Sequence, residues 1–227
     1  MNISDRISEA VNNRYSAQLA MQRYYAENNF NPYFMFEIII AFEDPTTFPK
    51  EKLNGFSIPV IIDYLKKTHH YYLNKRLPEI SQSISNLFEG AQQNIVLLKA
   101  LGDIFYTFKK KIEAHFKEEE AKLFPYAKFL HAVAERKHQN PFKQLHLHQY
   151  FVDDGKIAHE EVEYLLKAIQ DTIDAYSPDF CNQSTYRILQ AQIKNFEIDL
   201  HIHEQIEDKV LLPKIKALKE EFRYIYN

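Results

Sequence analysis

The sequence predicts an all-α protein, an up-down-up-down four-helix bundle preceded by an N-terminal helical extension. Three observations carry this. Four long segments repeat apolar residues every three or four positions, the period of a helix with one buried face. Only 4 Gly occur in 227 residues, few for a fold built on tight turns. One polar cassette also appears twice, 88 positions apart, each time on the apolar face of such a segment.

In chain order, residues 1–27 form a polar segment with Ile3, Ile7, Val11, Leu19 and Met21 loosely spaced, and read as helical. Asn28-Asn29 and Asn31-Pro32 break it, an apolar stretch runs from Phe34 to Phe42, and Asp44-Pro45-Thr46-Thr47-Phe48-Pro49 is a loop. Residues 1–57 are therefore expected to be an N-terminal helical extension, and 58–227 the bundle. The first bundle helix is expected from about Pro59 to Phe88, with Ile62, His70, Leu73, Leu77, Ile80 and Ile84 on one face. The second runs from about Gln93 to Leu130, aligning Ile104, Phe108, Ile112, His115, Glu119 and Leu123. Asn140-Pro141 opens the third, which ends near Tyr176 and carries Val152, His159, Val162, Leu166, Ile169 and Ile173. Ser177-Pro178 closes it. The fourth spans about Ser184 to Arg223, with Leu189, Ile193, Phe196, Leu200, His203, Glu207 and Leu211 aligned. Short connections between long helices favour antiparallel neighbours.

Composition bounds the function. The chain is 45% hydrophobic and 14% aromatic, enough for a substantial core. A net charge of −3, with both signs interspersed, leaves no footprint for nucleic acid. The single Cys181 excludes an internal disulfide framework and points to a reducing compartment. The opening residues lack a basic stretch followed by an apolar one, and the run from Phe34 to Phe42 contains Glu37 and is too short to cross a bilayer. A soluble cytoplasmic protein with neither a nucleic-acid nor a membrane partner is expected; the oligomeric state is left open.

The cassettes carry the chemistry. The first is His115-Phe116-Lys117-Glu118-Glu119, closing in Leu123-Phe124-Pro125; the second is His203-Glu204-Gln205-Ile206-Glu207, closing in Leu211-Leu212-Pro213. A lone stripe histidine precedes each, His70 by 45 residues and His159 by 44. Phe108 and Ile112 match Phe196 and Leu200 at the same offset of 88, so the chain reads as a duplicated helical hairpin. Residues four apart on a helix point the same way. His115 with Glu119, and His203 with Glu207, can thus reach one point in the bundle centre. An uncompensated carboxylate there would cost several kcal/mol, roughly, or take up a proton. A pair of metal ions removes that cost. His70, His115, Glu119, His159, His203 and Glu207 are the predicted ligands, and nitrogen and oxygen donors without thiolate suit iron or manganese. His70 is preferred to His69, which lies about 100° away around a regular helix, beside Arg76. Glu207 is preferred to Asp208 because it repeats the first cassette. Glu118, Glu120 and Glu204 point off the stripe, as does His201; His148 shares the stripe of His159 but lies roughly 16 Å along the helix, and His131, His138 and His146 read as surface.

These residues resemble the hemerythrin-like (HHE) domain over about 58–220. Within that group the ligand set is most similar to the iron–sulfur cluster repair family, di-iron proteins linked to nitrosative and oxidative stress; the stretch Ile62-Asp63-Tyr64-Leu65, His70 and Leu77-Pro78-Glu79 also resembles its first helix. The resemblance implies two iron ions held by the six residues above and bridged by the two glutamates and an oxo group. Oxygen-carrying hemerythrins place a fifth histidine four residues after the third-helix ligand; here that position is Glu163, which argues against a dedicated oxygen carrier. The repair family usually has a vicinal cysteine pair in an N-terminal domain, and the first 57 residues here contain no Cys.

The expected function is a non-haem di-iron protein that binds O2, NO or peroxide, or supplies labile iron to an acceptor protein, in stress response or cluster repair. Two alternatives are a di-iron redox enzyme of the peroxidase or NO reductase type, and a metal-free interaction bundle. A sensor or repair protein is favoured over a catalyst.

Overall fold

The computed structural model describes residues 30–43, 47–89, 94–135, 151–176 and 183–226, with the side chains of 43, 151–158 and 223–226 excepted. Helix is the regular structure throughout the described residues. The chain divides into two compact units, Met1–Phe56 and Ser57–Asn227.

In the first unit the apolar stretch is helical: α1 spans Pro32–Glu43 and α2 spans Lys50–Asn54. Asn31 caps α1, its Oδ1 accepting from the amides of Tyr33 and Phe34 at 3.0 and 3.1 Å, with Pro32 in the first turn where its missing N–H costs nothing. Phe34 meets Phe56 edge-on at 5.1 Å, and Lys52 pairs with Glu37 at 3.4 Å. The helix expected over residues 1–27 lies outside the described residues.

The second unit is built from four long rods. Rod one comprises α3 (Ile58–Tyr71), a π-helical turn (Tyr72–Arg76) and α4 (Leu77–Glu89). Rod two comprises α5 (Ile95–Glu118), a π turn (Glu119–Leu123) and α6 (Phe124–Ala134). Rod three is α7 (Phe151–Ala175). Rod four comprises α8 (Gln183–Ile206), a π turn (Glu207–Leu211) and α9 (Leu212–Tyr226). Packing of α4 on α5, α5 on α7, α7 on α8 and α8 on α4 closes a ring, and α3 on α6 makes rods one and two antiparallel. Asn94 enters α5 at φ 58°, a left-handed conformation that Asn tolerates better than most residues.

Apolar stripes fill the ring. Phe108, Ile112 and Phe116 from rod two meet Val162, Leu166, Ile169 and Ile173 from rod three and Leu189, Ile193, Phe196 and Leu200 from rod four in one buried cluster. Phe108 and Phe196, matched positions of the sequence repeat, meet edge to face at 6.0 Å. The two halves therefore touch through equivalent residues, as a pseudo-twofold axis requires.

Each of the three π turns among the described residues ends just before a proline: Leu77-Pro78, Phe124-Pro125 and Leu212-Pro213. Proline lacks an N–H and its ring collides with the carbonyl four residues back, so a regular turn cannot run through it. The helix widens instead, and the amides of Leu77, Phe124 and Leu212 bond back five residues to the carbonyls of Tyr72, Glu119 and Glu207. A π turn takes up about one residue more than an α turn, so the buried stripe slips by one position across it. Tyr72 and Phe124 are fully buried where a regular helix would place Leu73 and Leu123, both only partly covered.

Candidate metal centre

The slip in rod one changes which histidine faces the interior. Counting back from Leu77, Ile80 and Ile84 along a regular helix selects His70; across the π turn the same stripe continues to Tyr72, His69, Leu65 and Ile62, all buried. His69 is 1% exposed, while His70 lies on the surface, where the Asn74 side-chain amide meets its Nδ1 at 3.0 Å. The expectation for His70 is therefore corrected: the structure gathers His69, together with His115, Glu119, His159, His203 and Glu207.

These six fall into two sets that share both glutamates. His69, His203, Glu119 and Glu207 bring ligating atoms within 4.8 Å of one another, and so do His115, His159, Glu119 and Glu207. Each set takes the lone histidine of one half and the cassette histidine of the other, so neither half completes a set alone. In the first, His69 Nε2 lies 3.1 Å from His203 Nε2 and 3.3 Å from Glu119 Oε2, with His203 Nε2 3.7 Å from Glu207 Oε1. In the second, His115 Nε2 is 2.9 Å from Glu119 Oε1, and His159 Nε2 is 3.8 Å from Glu119 Oε1 and 3.3 Å from Glu207 Oε2. Phe116 stacks on His69 at 3.9 Å, and the rings of His115 and His159 meet at right angles at 4.8 Å.

A further layer orients the histidines. His69 Nδ1 lies 3.0 Å from Glu120 Oε1, and Lys66 reaches the other Glu120 oxygen at 3.5 Å. His159 Nδ1 faces Asp208 Oδ2 at 3.6 Å. Glu120 and Asp208 each follow a shared glutamate, 88 positions apart, and each backs the lone histidine of its own half. Asp208 thus stands behind His159, and Glu207 is the carboxylate within the cluster. His203 Nδ1 lies 2.9 Å from Thr68 Oγ1. The single hydroxyl proton of Thr68 goes to the Leu65 carbonyl at 2.8 Å, so its oxygen accepts from His203 Nδ1–H. Thr68 carried no signal in its own sequence, and Glu120 only its repeat with Asp208. Of the other histidines, His131 pairs with Glu135 at 3.5 Å and His201 is exposed beside Gln205, while His138, His146 and His148 lie outside the described residues.

The profile of the hemerythrin HHE cation-binding domain matches residues 60–180, more than half of the chain. The chain belongs to this family. The iron-sulfur cluster repair protein ScdA of Staphylococcus haemolyticus (strain JCSC1435) is 22% identical over 156 residues, which cover 69% of this chain and 66% of that relative, just under two thirds of its length. No described helix is long and apolar enough to cross a membrane.

The cluster fits the cations that hemerythrin HHE domains bind. The Nδ1 atoms of His69 and His203 both face oxygen atoms, and their Nε2 atoms point inward, 3.1 Å from each other. Both Glu207 oxygens and Glu119 Oε2 are buried without a hydrogen-bond donor. Lone pairs crowded into one dry volume repel unless a cation lies among them. The metal-free electrostatics show the same demand. Burial works against the Glu119 carboxylate, but the imidazoles of His115, His159 and His69 around it outweigh burial and hold the group well below the usual range. Burial, then the neighbouring Glu119 charge, push Glu207 well above it. Burial opposes a charge on His159 too, yet Asp208, Glu119 and Glu207 push it up to about 12. Burial keeps His203 neutral, well below the ordinary histidine value. The proton that His159 keeps places positive charge between the two glutamates.

Proposed function

We propose that this chain is a non-haem di-iron protein that binds NO, O2 or peroxide and supplies labile iron under oxidative or nitrosative stress, as in iron–sulfur cluster repair. His69 and His203 would hold one iron, His115 and His159 the other, with Glu119 and Glu207 shared between them. The observation that carries this reading is the approach of the His69 and His203 Nε2 atoms to 3.1 Å beside a glutamate shared with the second set. Four imidazoles, two carboxylates and no thiolate form a donor set of intermediate softness, suited to iron. When bound, two irons sharing six protein ligands would keep open positions for a diatomic ligand and could be released to an acceptor protein.

The residues around the centre serve binding more than turnover. Ferritin-like di-iron sites commonly use four Glu and two His. The four histidines here supply neutral donors, and His69 and His159 have their outward nitrogens facing carboxylates that fix ring orientation. The similarity to a cluster repair protein supports iron supply. Anaerobic iron loading followed by NO titration tests the proposal. The expected result is a visible spectrum that changes and saturates stoichiometrically with NO, together with iron that becomes accessible to a ferrous chelator. A spectrum unmoved by NO, O2 and peroxide would contradict it.

A further inference from the structure

A second group of ligand-type side chains shares no residue with the centre. Glu163 of α7 and His201 and Glu204 of α8 each bring one ligating atom within 4.8 Å of the other two. Glu204 is only 7% exposed, and among the described residues it accepts no hydrogen bond and joins no ion pair. Glu163 stands one turn beyond His159 on the same helix, yet its carboxylate belongs to this group and to neither set of the centre. The Gln205 side chain holds the His201 ring, and Lys209 holds Gln205 at 3.0 Å, so the imidazole is fixed along the outer face of α8.

Two carboxylates this close, one of them buried and unpartnered, repel unless a cation or proton joins them. One nitrogen and two carboxylate oxygens, open to solvent on one side, form an incomplete shell that water can complete around a divalent first-row ion. The absence of sulfur disfavours soft ions. We propose that Glu163, His201 and Glu204 form a third, mononuclear site for a divalent cation such as Mn(II) or Fe(II). Glu163 and His201 are exposed, so this ion exchanges faster and binds more weakly than ions in the buried centre.

The proposal stands independently of iron in the centre, and Mn(II) titration of the metal-free chain, read by the electron paramagnetic resonance of free Mn(II), tests it. The expected isotherm contains one weaker equivalent beyond the tight class. Glu204→Gln and His201→Gln should each weaken that equivalent at least tenfold with unchanged helical circular dichroism, while His115→Ala disturbs the tight class and leaves it in place. A weaker equivalent that appears without a tight class, and responds to these variants, upholds this site while rejecting the dinuclear one. An isotherm lacking the weaker equivalent, or one indifferent to both Glu204→Gln and His201→Gln, overturns the proposal.

Discussion

His69 and His203 are 134 positions apart in the chain, yet their Nε2 atoms lie 3.1 Å from each other. His69 is backed by Glu120 and His203 by Thr68, so the inner nitrogens of the two rings face the same point. The contact joins the lone histidine of one half to the cassette histidine of the other, and His115 with His159 repeats it across the pseudo-twofold axis.

The first prediction separates His69 from its neighbour. His69→Ala removes an inner nitrogen and leaves Glu120 and Glu119 without it, so metal content should fall by about one ion per chain. His70→Ala removes only a surface contact with Asn74; metal content should hold, with stability changed by no more than about 0.5 kcal/mol. Metal analysis of the two variants after identical loading decides between them. Retention of full metal by His69→Ala together with loss in His70→Ala would reverse the assignment.

The second concerns the carboxylates behind the histidines. Glu120→Gln and Asp208→Asn keep shape but remove the charge facing His69 and His159. Outer partners of this kind are worth about 10–100-fold in metal affinity. Each variant should show a loss of that size, confined to the ion held by the histidine it backs. Glu118→Gln, which touches only Lys122 on the surface, is the control and should bind as the parent does. Affinities measured against a competing chelator check this; equal binding by all three variants would assign Glu120 and Asp208 no orienting role.

Metal loading should release protons. His159 is held charged up to about pH 12 by Asp208, Glu119 and Glu207 against its burial, and Glu207 is held neutral above its ordinary range by burial. Both must lose a proton to become ligands, whereas His203 is already neutral and Glu119 already ionised. At pH 7 filling the centre should therefore release protons, at least the one that His159 holds, and apparent affinity should rise with pH. Calorimetry in buffers of different ionisation enthalpy measures the number. No release, or affinity that falls as pH rises, would contradict the charge assignment.

Much of the centre was legible because its grammar is local. His115 and Glu119, and His203 and Glu207, are one turn apart on single helices, and the repeat at 88 marks both copies. The choice between His69 and His70 failed for a physical reason: it extrapolated a regular helix through Tyr72–Arg76, where the chain adds a residue. A signal for this was present. Leu77-Pro78 repeats the Phe124-Pro125 and Leu212-Pro213 endings, and all three precede a proline that widens the turn before it. Thr68 and Glu120 were not legible in the same way, since their roles depend on which rods become neighbours. The four rods followed from periodicity; Leu73 and Leu123 were placed one position off for the same π-turn reason as His70.

The most direct test of two halves meeting at one dinuclear centre is the iron count and magnetism of the anaerobically loaded, desalted protein. Two tightly held irons per chain, magnetically coupled because they share Glu119 and Glu207, is the predicted result. No iron, a single iron, or two irons that behave independently would contradict it.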